Sequence, residues 1–349
     1  MTPDSQTSLR AAAAEALVRP AGAFKTTCSC VPRELFEAFG LNAPRLLPPG
    51  TVVSESRGEA RSGPGACAWC KSALGSEEAG AVWVGGATCD QMRRMIEIAG
   101  RHSGAAAIVI HIPKTRTAEA EALYLGELEW LAGELTRRTG RALDPASLLR
   151  AIVIRDGIRE RMRKFRPTLA GPDFAALVQL DAGLPQEETR AILDGWAFGV
   201  SRSAGIPILV AGSPHTPADL RWLELLEDAG LSVVADATCT GDRAVDFTAV
   251  LDAGCHPLEI LARTYFRRPP CPFVRPNDEF YGYTARLAAS RGVRGVVWKS
   301  VRGCDIHGLE APRAMRILGL PFLALDVSYG DIDSVRIRMR VEAFAEGLQ

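Results

Sequence analysis

The chain has no excess of charge of either sign: Lys+Arg and Asp+Glu both number 41 in 349 residues. Without a net field it has no global means of drawing in nucleic acid or an anionic membrane. Its longest apolar runs, such as Ala105–Ile112, stop well short of the roughly 20 residues that span a bilayer. Met1 to Arg19 is Ala-rich and lacks a basic segment followed by an apolar one, so no signal peptide is expected and a cytoplasmic location is. No Gly-x-x-x-x-Gly-Lys-Ser/Thr occurs, which excludes a P-loop, and no Gly-x-Gly-x-x-Gly follows a strand pattern, which removes the nicotinamide fingerprint.

Cysteine, by contrast, is plentiful. Nine cysteines in a chain with no secretory signal, an odd count and enough apolar residues for a large core argue against a disulfide framework. Their placement matters more than their number. Ala81-Val-Trp-Val84 reads as a buried strand, and Cys89 falls just past its carboxyl end, at the start of a helix opening with Asp90. Cys67 and Cys70 lie before and at the start of a short helical segment. Cys304 comes a few residues after the apolar strand Gly295–Trp298, and Cys239 directly follows Leu231–Ala235. Cys28 sits in a loop after a short strand, and Cys271 in a Pro-rich loop. In open α/β sheets, loops at the carboxyl ends of strands bind ligands, and thiolates suit zinc or iron–sulfur centres. Cys67, Cys89 and Cys304 are the candidate iron–sulfur ligands. A four-thiolate zinc site on Cys28, Cys30, Cys67 and Cys70 competes, but leaves Cys89, Cys239, Cys271 and Cys304 without a role. A redox Cys67-x-x-Cys70 is a further alternative.

The surrounding pattern alternates strand and helix, which predicts parallel sheets covered by helices. Residues 1–23 read as a loosely packed helix and linker, 24–117 as an N-terminal α/β domain, 118–204 as a helical insert and 205–349 as a C-terminal α/β domain. Arg45–Leu47 reads as a short strand, Ser54–Gly65 as a Gly/Ser/Arg-rich loop, Gln186–Val200 as a helix, and the arginines from Arg155 to Arg166 as a solvated helix face. His111 reads as a satisfied core residue, Trp69 and Trp298 as packing residues, and His215 and His307 as strand-end residues able to face the site.

Several motifs, in order, resemble the 2-hydroxyacyl-CoA dehydratase and benzoyl-CoA reductase subunit superfamily. They are Cys28-Ser-Cys-Val-Pro-Arg-Glu-Leu35, Cys67-Ala-Trp-Cys-Lys-Ser-Ala-Leu-Gly75, Thr88-Cys-Asp-Gln-Met-Arg-Arg94, Cys239-Thr-Gly-Asp-Arg243, Pro270-Cys-Pro272 and Cys304-Asp305. The closing segments Gly319–Asp326 and Arg340–Phe344 also resemble it. The resemblance implies two doubly wound, flavodoxin- or Rossmann-like parallel-sheet domains with a helical insert, and a cluster between them. It implies an open [4Fe–4S] cluster on Cys67, Cys89 and Cys304 that delivers one electron to a thioester substrate. Cys70 stands as an alternative to Cys67. A branch of the superfamily with a double-cubane [8Fe–9S] cluster implies six ligands, adding Cys28, Cys239 and Cys271, and a homodimer acting on small molecules. The implied partners are an ATP-dependent iron–sulfur activator, a homologous subunit or a second copy of the chain, and an acyl-CoA or small-molecule substrate. A non-catalytic electron-transfer subunit is the remaining reading.

Overall fold

The computed structural model describes residues 8–19, 22–76, 80–104, 106–195, 202–331 and 334–349. The first part runs α1 (Leu9–Val18), β1 (Phe24–Thr26), α2 (Arg33–Ala38), α3 (Val52–Ser62), α4 (Ala68–Gly75), β2 (Val82–Gly86), α5 (Asp90–Ser103) and β3 (Ala107–Ile110). Four helices follow: α6 (Ala118–Thr139), α7 (Pro145–Phe165), α8 (Gly171–Gly183) and α9 (Gln186–Gly195). The last part runs β4 (Ile206–Gly212), α10 (Asp219–Asp228), β5 (Leu231–Asp236), α11 (Pro257–Arg267), α12 (Asp278–Ser290), β6 (Gly295–Val301), α13 (Asp305–Leu318), β7 (Phe322–Val327) and α14 (Val335–Glu346).

The strands form two parallel sheets, β1-β2-β3 and β5-β4-β6-β7. Strand β6 is buried along its whole length and β4 over its last five residues, as a sheet covered on both sides requires. In the second sheet the chain leaves β4 for β5 on one side and returns to β6 on the other. The crevice beyond the carboxyl ends of β4 and β6 is therefore a topological switch point.

The expected α/β architecture is present, and four local readings change. Residues 52–62 are helical rather than loop. Thr51 caps α3 in a reciprocal box with Ser54. The glycines serve contact instead of flexibility: a methyl group on Gly58 would overlap the Lys71 carbonyl, and one on Gly75 the Ser54 carbonyl. Arg45–Leu47 contributes only an isolated bridge from Arg45 to Thr26. Helix α1 is packed rather than loose, with Leu9, Ala13 and Ala16 buried among residues of α7 and α8. Residues 1–7 of the N-terminal segment lie outside the described residues, as do 196–200 of the helix that begins at Gln186.

The arginines of α7 are not a solvated face. Arg155, Arg159 and, just beyond, Arg166 are buried. Arg155 pairs with Asp181, Arg159 with Glu34 and Asp156, and Arg166 with Asp242. These pairs fasten the helical segment to α2 and to the end of β5. A buried guanidinium needs such partners, because an unpaired buried charge is costly.

Candidate iron–sulfur site

Eight of the nine cysteines line one cavity: Cys28, Cys30, Cys67, Cys70, Cys89, Cys239, Cys271 and Cys304. Its walls come from the carboxyl ends of β1, β2, β4, β5 and β6. It therefore lies where the two sheets face each other and includes the switch point at Gly212–Pro214. Cys255 stands apart, against Asp252 on the surface side of the α11 N-terminus.

Three of these cysteines share one local device. Cys67, Cys89 and Cys304 are the N-cap residues of α4, α5 and α13. A helix N-terminus presents unpaired N–H groups and a partial positive charge, which favours a thiolate. The Cys89 thiol already accepts from the Met92 amide at 3.3 Å. Gln91 ties the three loops together. Its Oε1 accepts from the Cys67 amide, and its Nε2 donates to the Gly303 carbonyl at 2.9 Å. The Ala68 amide donates to the Arg302 carbonyl at 2.9 Å. Gly303 has φ +76°, and a methyl group there would stand 3.1 Å from Cys67 Cα. Only glycine fits this close approach without strain.

The thiols fall into two groups. Cys67 hydrogen-bonds Cys70, and both stand in electrostatic contact with Cys89 and Cys304. Cys28 hydrogen-bonds Cys30 and feels Cys239, and Cys271 feels Cys30 and Cys239. Sharing a proton with Cys70, aided by the amides of the α4 N-terminus, lowers the Cys67 pKa. The same sharing, with burial, raises that of Cys70. Burial pushes Cys304 up to about 12 and Cys271 up to about 11, and it raises Cys89. In the second group Cys28 is raised too, by its hydrogen bond to Cys30 and by burial, while Cys239 and Cys30 run the other way. Burial opposes a Cys239 thiolate, but Arg45 and Arg243 bring its pKa down. Cys30 is drawn down by the hydrogen bond from Cys28 and, against burial, by Arg268, Arg243 and Arg116.

The donor set fits a soft, anionic group. Among the described residues, no carboxylate lines the cavity. Several buried polar atoms of its lining residues lack a hydrogen-bond partner: Thr27 Oγ1, Trp69 Nε1, His307 Nδ1, Arg45 Nε, and Arg243 Nε and Nη2. Each can donate to a sulfide, whose demand for donors would satisfy them. Among the described residues, no three His, Cys, Asp or Glu side chains close on a point as a single ion demands. Cys28, Cys30, Cys67 and Cys70 are among the side chains that do not converge in this way. A cluster spreads its cysteines over several irons, so they stand farther apart than the ligands of one ion.

The remaining expectations divide. His307 lines the cavity. His215 does not: it is fully buried behind the wall, 3.0 Å from Asp236 and 3.5 Å from Lys299, whose ammonium pairs with Asp219 at 2.7 Å. His111 is exposed and hydrogen-bonds Glu127 at 3.1 Å, so it is not a core residue. Trp298 packs in the core, its Nε1 on the His307 carbonyl. Trp69 is also buried, but at the cavity wall.

The sequence reading passed over the arginines. Arg45 donates to the Cys239 thiol at 3.0 Å, and Arg268 to Cys30 at 3.2 Å. Arg243 and Arg268 lie within the Cys239–Arg243 motif and next to the Cys271 loop, a signal that was available. A second, largely apolar pocket opens beside the cavity and shares Cys30, Thr88, Arg268, Cys271 and Phe273 with it. Tyr124, Tyr265 and Phe266 form its walls, with Lys114 and Arg116 among its cations.

A family model described as 2-hydroxyglutaryl-CoA dehydratase, D-component, matches residues 28–348. The chain belongs to that family. The match begins at Cys28, the first cysteine of the cavity, and includes every other one, so all eight cavity cysteines fall within the dehydratase D-component match. No curated protein matches the chain. Among the described residues, no helix of this family member is long and apolar enough to cross a membrane.

Proposed function

We propose that the chain is the iron–sulfur component of a two-part reductive enzyme, charged by a separate ATP-hydrolysing activator. In this reading its cavity holds a double-cubane [8Fe–9S] cluster on Cys28, Cys67, Cys89, Cys239, Cys271 and Cys304. The observation that carries it is the meeting of these six thiols in one cavity as two groups of three, each with one spare cysteine, Cys70 or Cys30. A single cubane would leave Cys28, Cys239 and Cys271 without a role.

The bound group would supply low-potential one-electron reduction. The protein supplies the rest. The N-termini of α4, α5 and α13 position Cys67, Cys89 and Cys304 at the cavity, and their free N–H groups would favour the thiolates once a cluster binds. Arg45 and Arg268 bind sulfur on the opposite side. The neighbouring pocket, walled by Tyr124, Tyr265, Phe266 and Phe273, keeps water from an apolar substrate beside Cys30 and Cys271. Arg116 and Arg268 orient the anionic or carbonyl end of that substrate.

A second reading keeps an open [4Fe–4S] cluster on Cys67, Cys89 and Cys304 acting on a 2-hydroxyacyl or aromatic acyl thioester. The apolar pocket and the family description favour it. Anaerobic protein supplied with a strong one-electron donor tests both. Electron consumption by small reducible molecules without any thioester supports the first reading, and dehydration of a 2-hydroxyacyl-CoA the second. A fully reduced, iron-loaded protein that turns over neither class would overturn the enzyme assignment.

A further inference from the structure

The cysteine cavity is electrically lopsided. Three guanidinium groups, Arg45, Arg243 and Arg268, line it, and all three are at least nine-tenths buried. Among the described residues none of them is in an ion pair with a carboxylate. Arg45 Nη2 lies 3.0 Å from Cys239 Sγ, and its Nη1 donates to the Cys239 carbonyl at 2.7 Å. Arg268 Nη2 lies 3.2 Å from Cys30 Sγ and 2.9 Å from Ser29 Oγ. Arg243 makes one bond, Nη1 to the Ala237 carbonyl at 3.3 Å, and leaves Nε and Nη2 unpartnered. Its field reaches Cys30, Cys239 and Cys271.

Among the described residues, no guanidinium hydrogen-bonds a thiol of the other half. Around Cys67, Cys89 and Cys304 the positive potential comes from three helix N-termini and, at Cys89, from the Lys114 ammonium. Each N-terminus is worth about half a charge, against a full charge for each arginine. Buried charges at hydrogen-bond distance interact far more strongly than exposed ones.

We propose that Arg45, Arg243 and Arg268 make the Cys28–Cys239–Cys271 half of the cavity the half that receives the first electron. The unpartnered Nε and Nη2 of Arg243 would donate to the inorganic group held there. The step adds one electron, from the external one-electron donor, and makes or breaks no bond. The new negative charge is placed where three fixed positive charges stabilise it. The inference rests on the two-cluster reading above.

The test is a redox titration of the anaerobically purified full chain, followed by EPR and Mössbauer spectroscopy, with iron counted in each sample. In Arg243→Met the first reduction step moves to a more negative potential at unchanged iron content. Arg243→Lys, which keeps charge but not the planar donor fork, moves it less. A first step unmoved in Arg243→Met at full iron content overturns the proposal. Should Arg243→Met fail to load, Arg45→Gln, which removes the charge but keeps a hydrogen-bond donor, decides: a shift of the first step to a more negative potential supports the proposal, and no shift at full iron content overturns it. Wild-type protein carrying about four irons instead of about eight would show that the two-cluster reading itself had failed, and the proposal with it.

Discussion

Arg45 and Cys239, 194 residues apart, are joined twice: one guanidinium nitrogen lies on the Cys239 thiol at 3.0 Å and the other on its carbonyl at 2.7 Å. Arg45 is bridged to β1 through Thr26, and Cys239 follows β5. The contact therefore ties the edge of the first sheet to the end of the second across the cavity.

Arg45→Met removes two charge-assisted hydrogen bonds at a buried position. Each is worth roughly 1.5 to 3 kcal/mol, so denaturant unfolding of the metal-free protein is expected to show a loss of about 3 kcal/mol. An unchanged midpoint would mean that this contact does not hold the two sheets together.

The cysteines at the start of α4 owe their position to its close packing on α3. Gly58→Ala and Gly75→Ala force a methyl group against backbone carbonyls of the opposing helix. Overpacking of this kind costs about 3 kcal/mol. Each variant is also expected to load less iron than the wild type. A thermal melt and an iron assay check both effects, and wild-type values in the two variants would refute the packing argument.

Glu34 gives a pH-dependent contribution. Burial would raise its pKa, but Arg159, Arg155 and the Tyr265 hydroxyl, the last at 2.7 Å, more than reverse this, and the carboxyl ionises below its usual 4.5. A depressed folded-state pKa means that the stabilisation is complete above about 4.5 and is lost as the pH falls through the folded-state value. Glu34→Gln leaves Arg159 without its buried partner and is expected to cost about 3 to 5 kcal/mol at neutral pH. Its stability should then fall less steeply than that of wild type below pH 4.5. Melting temperatures between pH 3 and 7 measure this, and parallel curves would exclude Glu34 as the titrating group.

Much of the fold was legible because strand–helix alternation and apolar runs such as Ile206–Gly212 are local signals. So was the setting of the cysteines: a thiol just past a strand end marks the ligand-binding edge of a parallel sheet. What was hidden depends on distant partners. The arginines of α7 look solvated in sequence, since Glu34, which buries Arg159, lies 125 positions away. Helix α3 looks like a loop because its glycines and serines are there for contact with α4. His215 and His307 occupy similar strand-end positions, and only packing decides that one lies behind the wall and the other lines the cavity. Of the guanidinium groups around Cys28, Cys239 and Cys271, Arg243 and Arg268 stand beside cysteine motifs and were legible, whereas Arg45 reaches Cys239 from 194 positions away.

The most direct test of the account is the iron and acid-labile sulfide content of anaerobically purified protein, with zinc measured alongside. The account expects about eight irons per chain. Cys89→Ser or Cys304→Ser should lose the half built on the helix N-termini, and Cys28→Ser or Cys239→Ser the arginine-flanked half. Cys30→Ser and Cys255→Ser should keep both. About four irons, lost entirely in Cys89→Ser and unaffected in Cys239→Ser, would contradict the two-cluster claim. Zinc without sulfide would contradict the iron–sulfur reading altogether.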